Sequence, residues 1–373
     1  MPCTIVDVRA ADDWRDVVHR AVQALAEGKL VAFPTETVYG LAASALDETA
    51  VERLVAVKGR KTGHPFALAI KSADEARDYV PDLSPLARRL ARRCWPGPIT
   101  LVVDDLHPEG LVRRLPAKVQ QLVAPERTIG LRVPGHQVIL DVLRMMAGPL
   151  VLTSANRTGE PEAVTGQEVV LALGDDLDLI LDDGACRFGQ PSSVVRVKGK
   201  HYELLRAGVV PERTLRRLSS TLLLFVCTGN TCRSPMAEVL CASMLARRLN
   251  CDLDELEDHG VVVMSAGIAA MMGGRAATEA VETMTALGLD LSDHETQPLT
   301  EPLVRHADLI FTMTRCHREA ILAEWPSAAD RVLLLARDGS DIADPIGGTL
   351  DQYRRCAAQI QAELKTRLDE LDL

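Results

Sequence analysis

The chain has 373 residues, enough for two domains of ordinary size, with the 47% hydrophobic and 25% charged content of a globular protein. Its net charge of −10 is uneven: residues 1–210 carry 26 Lys+Arg against 27 Asp+Glu, and residues 211–373 carry 16 against 25, so neither half has the basic face of a general nucleic-acid binder. No apolar run is long enough to span a membrane, the N-terminal stretch is acidic where a signal peptide is basic, and nine cysteines without a repeating spacing read as reduced thiols; a cytoplasmic protein without a membrane partner is expected.

In the first half, LVAFPTETVYGLAASA (Leu30 to Ala45) reads as a strand, a polar turn and then small residues, with Thr35, Glu36, Thr37 and Tyr39 crowded together. VKGRKTGHPFALAI follows, placing Lys58, Arg60 and Lys61 near a glycine and ahead of a second strand; three such cations can hold phosphates or simply face water. CWPGPITLVV is a rigid turn leading into a strand. TIGLRVPGH sets Arg132 among strand-like residues, where a guanidinium is costly unless paired or bound to a ligand. LTSANRTGEP puts Thr153, Ser154, Asn156 and Thr158 directly after PLVL, and QPSSVVRV with LLRAG adds Ser192, Ser193 and Arg206. Basic and hydroxyl side chains thus recur at strand ends, as a cavity for a polar anion requires. The sequence has no Walker-type G-x4-G-K-[ST] loop, so a nucleotide would be held differently.

In this order PTETVYGL, KGR, WPGPIT, GLRVPGH, TSANRTG and LLRAG resemble the YrdC-like threonylcarbamoyl-AMP synthases of tRNA modification. The resemblance implies a twisted mixed α/β sheet over residues 1–208. It implies synthesis of threonylcarbamoyl-AMP from L-threonine, bicarbonate and ATP, with Mg²⁺ bridging phosphate oxygens and tRNA-modification proteins as partners. Carried over, Thr35, His64, Arg132, Ser154 and Ser192 would line the threonine side, and Lys58, Arg60, Thr128, Asn156 and Arg206 would hold ATP. The chain departs from the family at Lys61, where Pro is common after KGR, and at Pro191, where an acidic residue is common. It lacks the extra C-terminal domain of the longer members.

AGVVPERTLRRLSST, Ala207 to Thr221, is polar and charged; a linker is expected at 209–220, with PERTLRRL a short helix inside it.

The second half, 221–373, opens on TLLLFV, the look of a buried parallel strand. CTGNTCR is a loop, and Ser234 and Pro235 suit the cap and first turn of a helix on which Met236, Val239, Leu240 and Met244 share a face. Strand, tight loop and helix aim amides and a helix N-terminus at one point, an anion site. A cysteine there, Cys227, would be pushed toward thiolate, Arg233 would supply a planar fork for phosphate oxygens, and Ser234 could donate a hydrogen bond to the sulfur. That constellation suits displacement at phosphorus through a cysteinyl-phosphate. Cys227 and Cys232 have no second Cys/His pair at metal-ligand spacing, so no metal site is expected. Asp344, in DIADPIGG, is the candidate acid for the leaving group.

VCTGNTCRSPMAE, SAG at 265–267, ADLIFTM at 307–313 and DP at 344–345 resemble the low-molecular-weight protein-tyrosine-phosphatase family. The resemblance implies a four-stranded parallel sheet with helices on both faces, with strands near 222–226, 261–265, 308–313 and 332–335. It implies Cys227 as nucleophile, Arg233 as clamp and Asp344 as acid. Thr228, Gly229, Asn230, Thr231, Cys232 and Ser234 complete the phosphate loop, Cys232 standing where a reversible disulfide could protect Cys227. The loop threonine Thr231 resembles the protein-arginine-phosphatase branch; Ile346 replaces the aromatic usual after Asp-Pro. A bifunctional enzyme acting on a phosphoprotein, at tyrosine or arginine, is expected. The alternatives are a phosphatase with a non-catalytic nucleotide- or RNA-binding N-terminal domain and an arsenate-reductase-like C-terminal domain.

Overall fold

The structure, a computed structural model, describes residues 3–59 and 65–370 and divides into two compact units between Leu218 and Ser219. The first unit is built on strands β1 (Thr4–Asp7), β2 (Val31–Phe33), β3 (Gly40–Ser44), β4 (Ala67–Ala69), β5 (Ile99–Asp104), β6 (Thr128–Arg132), β7 (Leu150–Ser154), β8 (Leu179–Asp182), β9 (Ser193–Lys198) and β10 (His201–Arg206). They form one mixed sheet in the order β1-β8-β2-β3-β7-β4-β6-β5-β9-β10. Parallel and antiparallel neighbours alternate irregularly: β2 is parallel to β8 and antiparallel to β3, and β5 is antiparallel to β6 and parallel to β9.

Alternation along the strands feeds two cores. Ala32, Leu41 and Ala43 join one cluster with Val51 and Leu54 of the helix Glu48–Lys58 and Leu86 and Leu90 of the helix Pro85–Cys94. Val31, Phe33 and Ala42 point the other way, onto Val17, Ala21 and Leu25 of Trp14–Ala26 and Val138 and Val142 of Gln137–Met145. Each Val, Leu or Phe among them contributes about 1.5–3 kcal/mol on burial, which is how a chain poor in aromatics sustains its core. Helix starts follow their caps: Asp47 accepts from Ala50 N, and Ser84, followed by Pro85, accepts from Ala87 N. The second core covers only the β1–β7 end of that face. Apart from Ala69 of β4 it does not extend over β4, β6, β5 and β9, and there the cavity described below lies.

The stretch expected as a linker belongs instead largely to this first unit. Helix Glu212–Ser219 buries Leu215 completely in the first core, with Val210 and Leu218 packed against it, and Ser193 Oγ donates to Val210 O at 2.9 Å. Apolar residues spaced three apart gave this basic helix one face to bury.

The second unit has four parallel strands, β11 (Thr221–Cys227), β12 (Val261–Gly267), β13 (Leu309–Thr312) and β14 (Val332–Leu334), in the order β12-β11-β13-β14. Leu223, Phe225 and Cys227 face one core, shared with the helices Arg233–Leu249, Thr278–Ala286 and Leu350–Asp369. Leu222, Leu224 and Val226 face the other, shared with Glu301–His306 and Arg315–Glu324. Both faces are covered, so β11 reads as an unbroken apolar run. The chain runs from β11 to its neighbour β12 on one side and from β13 to β14 on the other, so the strand order reverses between β11 and β13, and the crevice at their carboxyl ends is where an open parallel sheet binds ligands.

Candidate active sites

In the first unit a cavity of about 850 Å³ is lined by Thr35, Lys58, Thr128, Arg132, Ser154, Asn156, Ser192 and Arg206, eight of the ten residues expected there. Arg60 and His64 lie outside the described residues. The side chains interlock. Lys58 Nζ donates to Ser154 O at 2.7 Å, Ser154 Oγ at 3.0 Å and Asn156 Oδ1 at 2.6 Å. Arg206 Nη2 donates to Ser192 O and Ser192 Oγ at 2.8 and 3.1 Å, and Ser192 Oγ meets Thr100 Oγ1 at 3.1 Å. The residues expected on the threonine side and those expected on the nucleotide side are therefore direct neighbours in one space.

Arg132 is buried and paired. Its Nη2 donates to Glu36 Oε1 at 2.7 Å and Thr37 Oγ1 at 2.9 Å, and Glu36 Oε2 accepts from Gly135 N at 2.7 Å. Its Nε is buried without a hydrogen-bond partner among the described residues. Sequence reading noted the crowding of Thr35 to Tyr39 but missed that Glu36 and Thr37 orient this arginine. It also missed Thr100 and Arg196 in the cavity wall. Strand period was the available signal, since Thr128, Gly130 and Arg132 line the cavity at alternate positions, as do Ser192, Val194 and Arg196.

In the second unit the loop after β11 is tied outward by its carbonyls. Those of Cys227, Thr228 and Thr231 accept from the backbone N–H of Ile268, Ala269 and Ala277 at 3.0, 2.9 and 2.9 Å, and Asn230 O contacts His294 Nε2 at 2.9 Å. Loop amides are thereby left for the centre, the arrangement of an anion nest. Asn230 has φ +56°, a left-handed conformation that asparagine tolerates. Gly267 permits the close approach of β12, because a Cβ there would stand 2.5 Å from Thr228 O and 2.9 Å from Asn230 N.

The helix begins at Arg233, not with Ser234 as its cap. Cys232 occupies the cap position, and its side chain makes no capping hydrogen bond to the first turn, whose amides are thus available to an anion. Ser234 is turned to Cys227: its Oγ lies 3.0 Å from Cys227 Sγ and accepts from Asn230 Nδ2 at 3.0 Å. The Ser234 hydroxyl hydrogen has two acceptors in reach, the Cys227 sulfur at 3.0 Å and Ala266 O at 3.4 Å. The chain of contacts continues inward, from Asn230 Nδ2 to Ser265 Oγ at 2.8 Å and from Ser265 Oγ to Glu238 Oε2 at 2.5 Å; burial holds the Glu238 carboxyl above its ordinary range. Glu238 was missed, although its place one turn after Ser234 puts both on one helix face.

Arg233 Nη1 donates to Ile342 O at 3.2 Å and Nη2 to Asp344 Oδ2 at 2.5 Å, so the expected clamp and acid are brought together. Cys232 Sγ lies 3.3 Å from Tyr353 OH, and Thr231 Oγ1 3.5 Å from Cys232 Sγ. Thr228 Oγ1 meets His317 Nε2 at 2.9 Å. His317 was also missed. Burial, and then the neighbouring Arg233 guanidinium, pull its imidazole down to about 4, so it is neutral near pH 7. The site can hold a phosphoryl group between loop amides and a guanidinium, with a thiol below it and a carboxyl beside it.

Comparison with known proteins agrees. Residues 23–208 match the family model Sua5–YciO–YrdC, described as telomere recombination, and residues 222–372 match that of the low molecular weight phosphotyrosine protein phosphatases. The threonylcarbamoyl-AMP synthase of Pyrococcus abyssi is 34% identical over 57% of this chain, which spans 60% of that relative's length. A putative threonylcarbamoyl-AMP synthase of Mycobacterium tuberculosis is 34% identical over 51% of this chain and 83% of its own. Among solved structures, Pyrococcus abyssi Sua5 complexed with L-threonine matches with a TM-score of 0.52 and 24% identity, covering 70% of this chain and 92% of that one. A mutant of YwlE from Bacillus subtilis covers 40% of this chain and 100% of its own at 34% identity, with a TM-score of 0.36. The chain belongs to the Sua5–YrdC family through its first unit and to the low-molecular-weight phosphatase family through its second.

Proposed function

We propose that the chain is a bifunctional enzyme. Its first unit condenses L-threonine, bicarbonate and ATP into threonylcarbamoyl-AMP and releases pyrophosphate. The observation that carries this is the single cavity gathering Lys58, Arg132, Arg196 and Arg206 with the hydroxyls of Thr35, Ser154 and Ser192. In this reading no side-chain nucleophile is needed; cations and hydroxyls position the carboxylate oxygen against the α-phosphorus and offset charge on the departing pyrophosphate. Mg²⁺ would arrive on the triphosphate, which is its usual mode, and Glu126, Glu160 and Glu162 are the carboxylates lining that cavity. The test is pyrophosphate release dependent on both threonine and bicarbonate. Lys58→Ala should cut it about tenfold or more, the scale of a charge-assisted phosphate contact. Nucleotide binding without product would make the first unit a binding module.

The second unit, in the same proposal, hydrolyses phosphorylated protein side chains and prefers phosphoarginine to phosphotyrosine. Cys227 Sγ attacks phosphorus, the bond to the leaving nitrogen or oxygen breaks, and Asp344 supplies its proton. Water then cleaves the sulfur–phosphorus bond, returning a proton to Asp344 and releasing phosphate. The preference rests on where the aromatics are. Phe225, Phe311 and Tyr353 are buried in the core, and Trp325 packs on the face of the sheet away from Cys227. Among the described residues of this unit no Phe, Tyr or Trp ring is left to stack on a phenyl group. The loop instead presents Thr228 and Thr231, and Ile346 is 68% exposed after Asp344-Pro345. Cys227→Ser should abolish turnover with the fold intact, since a serine hydroxyl does not ionise near neutral pH. More than a few per cent residual activity would exclude Cys227 as nucleophile.

A further inference from the structure

Two contacts at the lip of the phosphate loop have no part in the reading above. The exposed Thr228, next to the nucleophile, has its Oγ1 2.9 Å from His317 Nε2, and the other ring nitrogen, Nδ1, lies 3.0 Å from Thr314 Oγ1. Thr314 Oγ1 already accepts from His317 N at 3.3 Å as the cap of the helix Arg315–Glu324. With that lone pair occupied, the Thr314 hydroxyl hydrogen is best used on Nδ1. An accepting Nδ1 leaves the proton of a neutral imidazole on Nε2, which donates to Thr228 Oγ1. The Thr228 hydroxyl hydrogen is then uncommitted and turned away from the ring.

We propose that His317 is a positioning residue that holds Thr228 as a hydrogen-bond partner for a polar leaving group, and that Thr228 is thereby a specificity-determining residue of the phosphatase site. The inference rests on the phosphatase reading of Cys227 and extends it to the wall opposite Thr231. The surroundings suit the role. His317 is buried and feels the charges of Arg233, Asp344 and Asp341. Burial keeps it neutral, as a single-proton relay between two hydroxyls requires. A phosphoarginine leaving group carries N–H groups and takes an electron pair on nitrogen as it departs. A fixed hydroxyl can accept from the first and donate to the second, whereas a phenyl ring uses neither.

The experiment has two arms on the full chain. Nitrogen-15 NMR of the histidine rings, with His317 assigned by its loss in His317→Gln, should show the Nε2–H tautomer. An Nδ1–H tautomer would mean that Thr228 donates to the ring, and would overturn the proposal whatever the activity. In the kinetic arm, His317→Leu and Thr228→Val should each lower kcat/KM for phosphoarginine about three- to tenfold more than for an aryl phosphate, the scale of one hydrogen bond. His317→Gln, which keeps an N–H donor at the same reach, should restore most of the difference. Equal losses on both substrates, or no rescue by Gln, would reduce His317 to packing and overturn the specificity role. A wild-type chain with the Nε2–H tautomer but no turnover of either substrate would refute the phosphatase reading on which the role depends.

Discussion

Arg233 Nη2 donates to Asp344 Oδ2 at 2.5 Å across 111 residues of sequence, so the two residues proposed as phosphate clamp and acid hold each other. Asp344 Oδ1 also accepts from Ile346 N at 3.2 Å, which keeps the carboxylate turned toward the guanidinium. A phosphoryl group entering between them replaces one carboxylate oxygen with phosphate oxygens and leaves Asp344 beside the leaving atom. Asp344→Asn should therefore slow a poor leaving group by about 10²–10⁴, the usual contribution of a placed acid, and an activated aryl phosphate far less. Comparison of kcat/KM for the two substrates checks this; equal losses would make Asp344 a structural partner of Arg233.

Asn230 carries both a left-handed backbone and three side-chain hydrogen bonds, to Ser234 Oγ, to Ser265 Oγ and from Gln297 N. Two substitutions separate these. Asn230→Gly keeps the backbone geometry and loses the contacts; Asn230→Ala loses both. Each should destabilise the second unit by about 1–3 kcal/mol through unsatisfied buried partners. Alanine should be worse than glycine by about 1 kcal/mol because of its φ. Denaturant melts followed at Trp325 measure the difference, and alanine matching glycine would remove backbone strain from the account.

What was legible beforehand was local. The contiguous stretch from Cys227 to Ser234 carries its chemistry in its own order, so sequence reading reached it directly. The alternating Thr128, Gly130 and Arg132 show that much of the cavity wall was legible as strand period as well. Glu238, His317 and Tyr353 were missed because their roles come from packing of separate elements onto the loop. Ser234 was read both as a helix cap and as a hydrogen-bond donor to the Cys227 sulfur; the helix begins instead at Arg233, and the Ser234 hydroxyl stands 3.0 Å from both Cys227 Sγ and Asn230 Nδ2. The 209–220 stretch looked like a linker because it is charged, and one fully buried residue, Leu215, decided otherwise.

His317 makes stability depend on pH with a definite sign. Its folded value near 4 lies below the ordinary value near 6.5, so between those limits the unfolded chain binds the extra proton. The contribution of the neutral ring is therefore present above about pH 6.5 and is lost as pH falls toward 4. His317→Gln, which cannot titrate, should flatten the stability profile of the second unit in that window. Parallel profiles for mutant and wild type would show that the ring is not held neutral by the fold.

Glu36 and Arg132 form a buried pair in the first unit, with side chains only 7% and 9% exposed. Removing one member leaves the other charged and uncompensated, at a cost of about 3–5 kcal/mol. Glu36→Ala should lower the stability of the first unit by that amount, read from Trp14 and Trp95 in a denaturant melt. Glu36→Gln, which can still accept from Arg132, should cost less. If Glu36→Ala melts like wild type, Arg132 is held by its other contacts and the pair has little structural weight.

Thr231 sits midway round the phosphate loop, its carbonyl pinned by Ala277 N at 2.9 Å and its side chain half-buried. With the backbone fixed, a change of side chain alters the wall of the pocket and leaves the loop in place. The threonine methyl leaves room for a branched guanidinium, and the hydroxyl can hold a polar nitrogen or a water near phosphorus. Isoleucine removes the polar partner and narrows the space, yet offers a flat phenyl ring an apolar surface. Thr231→Ile should therefore shift the kcat/KM ratio from phosphoarginine toward phosphotyrosine. A hydrogen bond to a charged group is worth about 1.5–3 kcal/mol, or roughly ten- to a hundredfold in that ratio. The measurement uses peptides of matched sequence carrying one or the other phosphoresidue, with wild type and mutant in parallel. An unchanged ratio, or a wild type without phosphoarginine activity, would overturn the preference and leave a tyrosine phosphatase.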